Sequence, residues 1–421
     1  MGQGALALAG LIVGLGLGWA ASRAGVSRSG LPAAAASVAG ELWLTVLLSV
    51  VLPLVVLNAI TAIARPQGRV LGPALAVRLL LLAAALLAAS GLVAVLAAPP
   101  LLAVLGANAA SVPDSPGAPF PTSDAPESGE GSARPSRAGQ VADIVGRYRA
   151  LAGRAVLPVL VLGLVTGVGL RRVRERRRGE IVARLERAAN RLLAGLRRVL
   201  SLTPAAVLAF AFVGVLRGGA LTAGSLLGYV VAACAVLMLC TVLLYPVAVL
   251  LGRVGLSDFA RALFPAQVVA LSTRSSIAAL PALVASARDE LRLAPELAGT
   301  VLSLCTALLK LSAVAAKTTG VIYLAGLYGR PLGPAELAAF IASVMLLSST
   351  TVGVPLGGAA FTTMPAFAAA GIPLDGVVLL ASVEAVPDLF KTVLNVTANL
   401  TVAVAAAPGR HPRADGPDDA G

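Results

Sequence analysis

Apolar runs of about 20 residues, separated by short polar or arginine-rich connections, recur along most of this chain; as helices they are long enough to cross a hydrocarbon layer about 30 Å thick. They cover roughly 4–21, 38–64, 70–104, 150–170, 190–216 and 221–252, and two interrupted pairs follow over 257–327 and 334–407. The pattern predicts an all-α integral membrane protein that crosses the bilayer many times. Composition agrees: 58% of the 421 residues are hydrophobic and only 13% are charged, outside the usual range of a soluble domain. Only Met-Gly-Gln precedes the first run, with no basic segment. This predicts a first transmembrane helix rather than a cleaved signal peptide.

The net charge is +13 and the pI about 10.9, which in a soluble chain would suggest nucleic acid. Here the arginines sit in short blocks between apolar runs, and a positive-inside topology explains them without a nucleic-acid partner. The blocks Arg65-Pro-Gln-Gly-Arg69 and Arg171–Arg178 follow the second and fourth runs, so both fall on the side predicted to be cytoplasmic. Arg23 and Arg28, in the first external loop, run against the pattern. Residues 108–141, rich in Pro, Ser, Gly and acids, predict a disordered loop on the opposite side. Cys234, Cys240 and Cys305 all lie in apolar segments, with no metal-ligand spacing, and read as buried thiols. With His411 the only histidine, no nucleophile beside a base and no phosphate loop, the chain does not read as an enzyme and implies no cofactor.

Two polar strings interrupt the last apolar pairs: Ser272-Thr-Arg-Ser-Ser-Ile-Ala-Ala-Leu-Pro281 and Ser348-Ser-Thr-Thr-Val-Gly-Val-Pro355. Each follows an apolar arm, ends in Leu-Pro or Val-Pro, and precedes a long apolar helix with polar groups, so the two form an internal repeat about 75 residues apart. Non-helical backbone at membrane depth persists only where it is buried in protein or lines a cavity. The strings therefore mark a binding site between re-entrant hairpins; alternatively they are ordinary turns outside the membrane. The helix after the second string carries Glu384, Asp388, Lys391, Asn395 and Asn399, whose spacing places all five along one face. Ionisable residues within a span mark a pathway or ligand site, unless Asp388 and Lys391 merely pair with each other.

At these residues the chain resembles the dicarboxylate/amino acid:cation symporters, which include the excitatory amino acid transporters and prokaryotic glutamate and aspartate carriers. Arg274-Ser275-Ser276-Ile277-Ala278-Ala279-Leu280-Pro281 matches the family's first hairpin tip. Gly353-Val354-Pro355, followed by Gly357-Gly358, matches the second. Asp388-Leu-Phe-Lys391-Thr392-Val-Leu-Asn395-Val396 matches its last helix. The likeness runs from about Pro53 to Ala407. It implies a substrate held between the tips and the last helix: its α-carboxylate by Ser275 and Ser276 with help from the helix dipole, its ammonium by Asp388, a carboxylate or amide by Asn395 and the side-chain carboxylate of an acidic substrate by Lys391, with Arg274, Thr392, Gly353, Val354 and Pro355 as further site residues. Lysine at a position often held by arginine keeps the charge without the planar fork. The implied substrate is a small amino acid or a dicarboxylate.

Departures from the family pattern concern the coupling ion. Counted from Pro281, the family's Asn-Met-Asp-Gly-Thr signature falls on Leu308-Leu309-Lys310-Leu311-Ser312, and an expected late Asp is Asn399. Residues 79–88 carry no Tyr, Thr or Ser for a further ion site. The degenerate positions Leu308, Lys310 and Asn399 predict transport that is proton-coupled or sodium-independent. Lys310 or Lys317, with Glu384, would then be the coupling residue, the two lysines lying about 10 Å apart on one face of a continuous helix. The alternative for each lysine is a static counter-ion to Glu384 or Asp388.

The expected architecture is eight transmembrane helices plus two re-entrant hairpins with inverted repeats; the resemblance implies a homotrimer, and the compact chain suits the lipid bilayer of a bacterial inner membrane. Residues 1–66 and 150–219 would form the scaffold. Residues 67–104 and 220–407 would form a transport unit moving as an elevator, with 105–149 the external loop and 408–421 a cytoplasmic tail. Secondary active transport is the expected function; an exchanger, anion channel or sensor on the same scaffold is the alternative.

Overall fold

The computed structural model describes residues 3–26, 31–64, 72–107, 162–163, 165–216, 223–349 and 362–406, and among these there is no strand. The helices are α1 (Gln3–Arg23), α2 (Leu31–Ala64), α3 (Pro73–Val104), α4 (Glu175–Leu200), α5 (Thr203–Leu216), α6 (Ala223–Gly252), α7 (Leu256–Thr273), α8 (Ser276–Asp289), α9 (Pro295–Leu308), α10 (Leu311–Leu327), α11 (Pro334–Ser349), α12 (Met364–Ala369), α13 (Leu374–Ser382) and α14 (Pro387–Ala406). Six stretches are long and apolar enough to span a membrane: Leu6–Arg23, Pro32–Asn58, Ala74–Val104, Gly224–Gly252, Ala298–Leu327 and Pro387–Ala406. The pair α4 and α5, bent by 48°, makes a seventh if the two together form one span. The all-α integral membrane class is therefore correct. The expected fourth span lies mostly outside the described residues, as does the second tip with Gly353, Val354 and Pro355.

Three expectations change. The arginine block at 171–178 is not simply a loop, because α4 begins at Glu175 and continues through what was read as the start of an apolar run. The stretch 298–327 is not one continuous helix; it breaks at Leu309 and Lys310. Lys310 and Lys317 therefore do not share one unbroken helix face. Glu384 does not belong to the last helix either: residues 383–386 form turns, and α14 starts at Pro387. Proline at the first helical position fits because its missing N–H would have no intrahelical partner there, whereas counting a helical period across it misplaces Glu384.

The described residues fall into two compact units, one drawn from Met1–Gln67, Gly91–Val236 and Ala313–Pro387, the other from Gly68–Ser90, Leu237–Ser312 and Asp388–Gly421. In the first, α1 and α5 pack along most of their lengths. A methyl group at Gly14 would lie 2.5 Å from the Leu208 carbonyl oxygen, and Gly18 is as tightly set against Phe212 and Val215. Gly10 faces Pro204. Equal steps of four residues on both helices make the pair parallel. Only the lack of a side chain lets the backbones approach this closely, the small-residue packing that membrane helices use where apolar burial gives no drive. On α2, Gly40 meets the Phe210 ring and Trp43 Nε1 donates to the Val199 carbonyl at 2.8 Å, so α2 runs antiparallel to α4 and α5. Elsewhere in this unit Phe340 and Phe367 meet edge to face at 4.9 Å between ring centres.

Candidate functional site

In the second unit α7 and α8 pack on each other, joined by Arg274 and Ser275. Arg274 has φ of 52°, a left-handed conformation that costs a non-glycine residue about 1–2 kcal/mol, and its N–H closes the end of α7 on the Ala270 carbonyl. Ser275 is extended, and its hydroxyl accepts from the Ala278 N–H at 3.2 Å, capping α8. The Thr273 hydroxyl accepts from the Ser275 N–H at 3.3 Å. Polar residues here are thus used first to end one helix and start the next, and the tip they build presents the first turn of α8.

The break between α9 and α10 has no Pro or Gly to cause it, and freed backbone groups at membrane depth need partners. Three polar side chains supply them. Asn395 Oδ1 on α14 accepts from the Ser312 N–H at 3.1 Å. Ser90 on α3 donates to the Leu311 carbonyl at 3.4 Å. Lys310 folds back so that Nζ donates to the Thr306 carbonyl at 2.7 Å, placing an ammonium at the C-terminal end of α9, where the helix dipole favours a cation. The Thr306 hydroxyl in turn accepts from Asn399 Nδ2 at 3.1 Å. Asn399 is buried, and among the described residues its Oδ1 accepts no hydrogen bond. Lys310, Thr306 and Asn399 thus form one connected polar group, held against α14 from the far side by Gln267 of α7, which donates to Thr397 Oγ1 at 3.0 Å.

Along α14, Asp388, Lys391, Asn395 and Asn399 follow one face. Lys391 Nζ lies 3.3 Å from Asp388 Oδ1, both groups partly buried. The Thr392 hydroxyl donates to the Asp388 carbonyl at 2.8 Å. An ammonium and a carboxylate one helical turn apart can satisfy each other, or each can take an opposite charge on a bound molecule.

Lys317 and Glu384 belong to the first unit. Their charged atoms lie 3.2 Å apart, with side chains 13% and 18% exposed. The sequence reading weighed this pairing as the static alternative for Lys317 but placed Glu384 on the wrong element. Close by in the same unit, the Ser225 and Tyr323 hydroxyls are 3.0 Å apart and the Tyr323 ring packs on Tyr229 at 5.0 Å. Sequence reasoning missed Thr306, Gln267 and Ser90 as partners; single hydroxyls and amides in apolar helices were their only signal.

Interruptions that carry Lys310 and Glu384, with Asp388 in the first turn of the last helix, in a chain that crosses a bilayer repeatedly, define a membrane transporter rather than a lipid-embedded scaffold. The chain belongs to the sodium:dicarboxylate symporter family, whose model matches residues 5–408. No curated protein matches it.

Proposed function

We propose that this chain is a secondary transporter of a small amino acid or dicarboxylate that works without sodium and is driven by protons, Lys310 standing in for the coupling cation. The observation that carries this reading is the Lys310 ammonium, which donates to the Thr306 carbonyl in the last turn of α9 and is linked through Thr306 to Asn399. Sodium needs oxygen donors and gains from carboxylates, whereas this position offers a resident cation and an amide. Unlike a bound sodium ion, the Lys310 amine is itself a group that can take up and release a proton. Asn399 Oδ1, buried and accepting no hydrogen bond among the described residues, is the acceptor proposed for a displaced ammonium.

Asp388 and Lys391 form the proposed substrate site with Arg274, Ser275, Ser276, Thr392 and Asn395. An acidic amino acid fits best: its ammonium takes Asp388, its side-chain carboxylate takes Lys391, and its α-carboxylate takes the Ser275 and Ser276 tip at the start of α8, so each of its three charged groups has a partner. A simple dicarboxylate would leave Asp388 without a cation. Lys317 and Glu384 are the second place where a proton could be exchanged. Movement of residues 67–104 and 220–407 as an elevator, in a homotrimer in the inner membrane, completes the proposal.

The test uses the full chain in proteoliposomes. Under an inward proton gradient the unaltered chain accumulates substrate above equilibrium. Lys310→Met and Lys310→Arg lose that accumulation but keep exchange of internal for external substrate, which also shows that they fold. Full gradient-driven accumulation by Lys310→Met rules Lys310 out as the coupling residue.

A further inference from the structure

Helix α4 carries more charge than topology requires. From Arg171 to Leu200 there are 11 arginines against three glutamates, Glu175, Glu180 and Glu186. Val182, Ala189, Leu193, Leu196 and Leu200 are buried, and α4 packs on α2. At 100° per residue these five fall within a narrow arc, with half-buried Ile181, Leu185 and Leu192 beside it. On the other side of that flank lie Arg177, Arg184, Arg187 and Arg191, all exposed. Among the described residues Arg184 and Arg191 have no acidic partner.

Length sets where this face sits. At 1.5 Å per residue the 26 residues of α4 measure about 39 Å. With the 14 residues of α5 the bent pair is roughly twice as long as the hydrocarbon layer is thick. The stretch from Val199 through the end of α5 at Leu216 measures about 27 Å at 1.5 Å per residue and nearly crosses it, so the arginine-bearing part of α4, exposed Arg197 and Arg198 included, emerges at the surface. The antiparallel run against α2 places that part beside the C-terminal end of α2, on the side predicted to be cytoplasmic.

We propose that the Arg177, Arg184, Arg187 and Arg191 face of α4 docks on the anionic phospholipid headgroups of the leaflet from which it emerges. The half-buried Ile181, Leu185 and Leu192 stripe meets the acyl boundary, and the guanidinium groups reach phosphates from its rim, as long basic side chains do at such boundaries. Guanidinium suits this better than ammonium because its planar fork pairs two oxygens of one phosphate. Because α5 is anchored to α1 through Gly10, Gly14 and Gly18, a headgroup layer that holds α4 also fixes the height of the α1–α5 pair in the bilayer.

The experiment is native mass spectrometry of the full chain, delipidated in detergent and mixed with equal amounts of phosphatidylglycerol and phosphatidylcholine. Each arginine near an anionic surface is worth roughly fivefold in partition. The unaltered chain therefore carries mainly phosphatidylglycerol. Replacing Arg184, Arg187 and Arg191 together by Gln lowers the ratio of the two lipids by about tenfold or more. The same three changed to Lys retain most of it, and Arg261→Gln with Arg288→Gln and Arg292→Gln leaves it unchanged. Equal binding of the two lipids, or a preference that survives the α4 Gln variant, overturns the proposal.

Discussion

Lys317 and Glu384 lie 67 positions apart in sequence and 3.2 Å apart in space, inside a chain where an unpaired charge has little water to turn to. Removing one partner of a largely buried pair costs about 3–5 kcal/mol, mostly because the other charge is left uncompensated. Glu384→Gln should fall near the lower end of that range, since neither group is fully enclosed. A Lys317→Leu, Glu384→Leu double variant should recover most of the loss. Thermal unfolding in detergent reads both, and a single variant as stable as the unaltered chain would mean that the pair does not hold this part of the fold. Asp388, Lys391, Asn395 and Asn399 could be read from the sequence as one face because their spacing lies within a single helix. Glu384 could not, since its place depends on where α14 begins, and Pro387 decides that.

Helices α1 and α5 show how close approach substitutes for apolar burial in a membrane. Gly14→Leu forces a side chain where a methyl already meets the Leu208 carbonyl at 2.5 Å and the Ala211 methyl at 2.9 Å, and overpacking of this kind costs about 1–3 kcal/mol or more. The variant should lower the unfolding temperature, while Gly16→Leu, at a position with nothing within 4 Å, should not. Equal effects at both positions would show that helix propensity, not packing, governs α1. The break at Arg274 and Ser275 was legible, because Ser, Thr and a following Pro punctuate the apolar pattern there. The break at Leu309 and Lys310 was not: its cause is the set of partners supplied by Ser90 and Asn395, 221 and 83 positions away. Nor was α4 legible as an amphipathic helix, since arginines explained by membrane topology give no reason to follow Arg184, Arg187 and Arg191 around a helical surface.

Across the whole molecule, apolar run length alone settled the membrane class, and ordered motifs at the tips and in the last helix pointed to the symporter family. The departures on which the proposal of sodium-free transport rests lie at other positions, Leu308–Ser312 and Asn399. Where the family's signature falls, the backbone does break, yet a lysine occupies the break and an asparagine faces it through Thr306. The most direct measurement of sodium-free, proton-driven transport is uptake of radiolabelled aspartate into proteoliposomes holding the full chain, with proton and sodium gradients imposed separately and succinate as competitor. An inward proton gradient should drive accumulation with no sodium present, and an inward sodium gradient alone should add nothing. Strict dependence on sodium would contradict the proposal, because it would require the Asn395, Asn399 and α9 carbonyl oxygens to bind the ion in spite of Lys310.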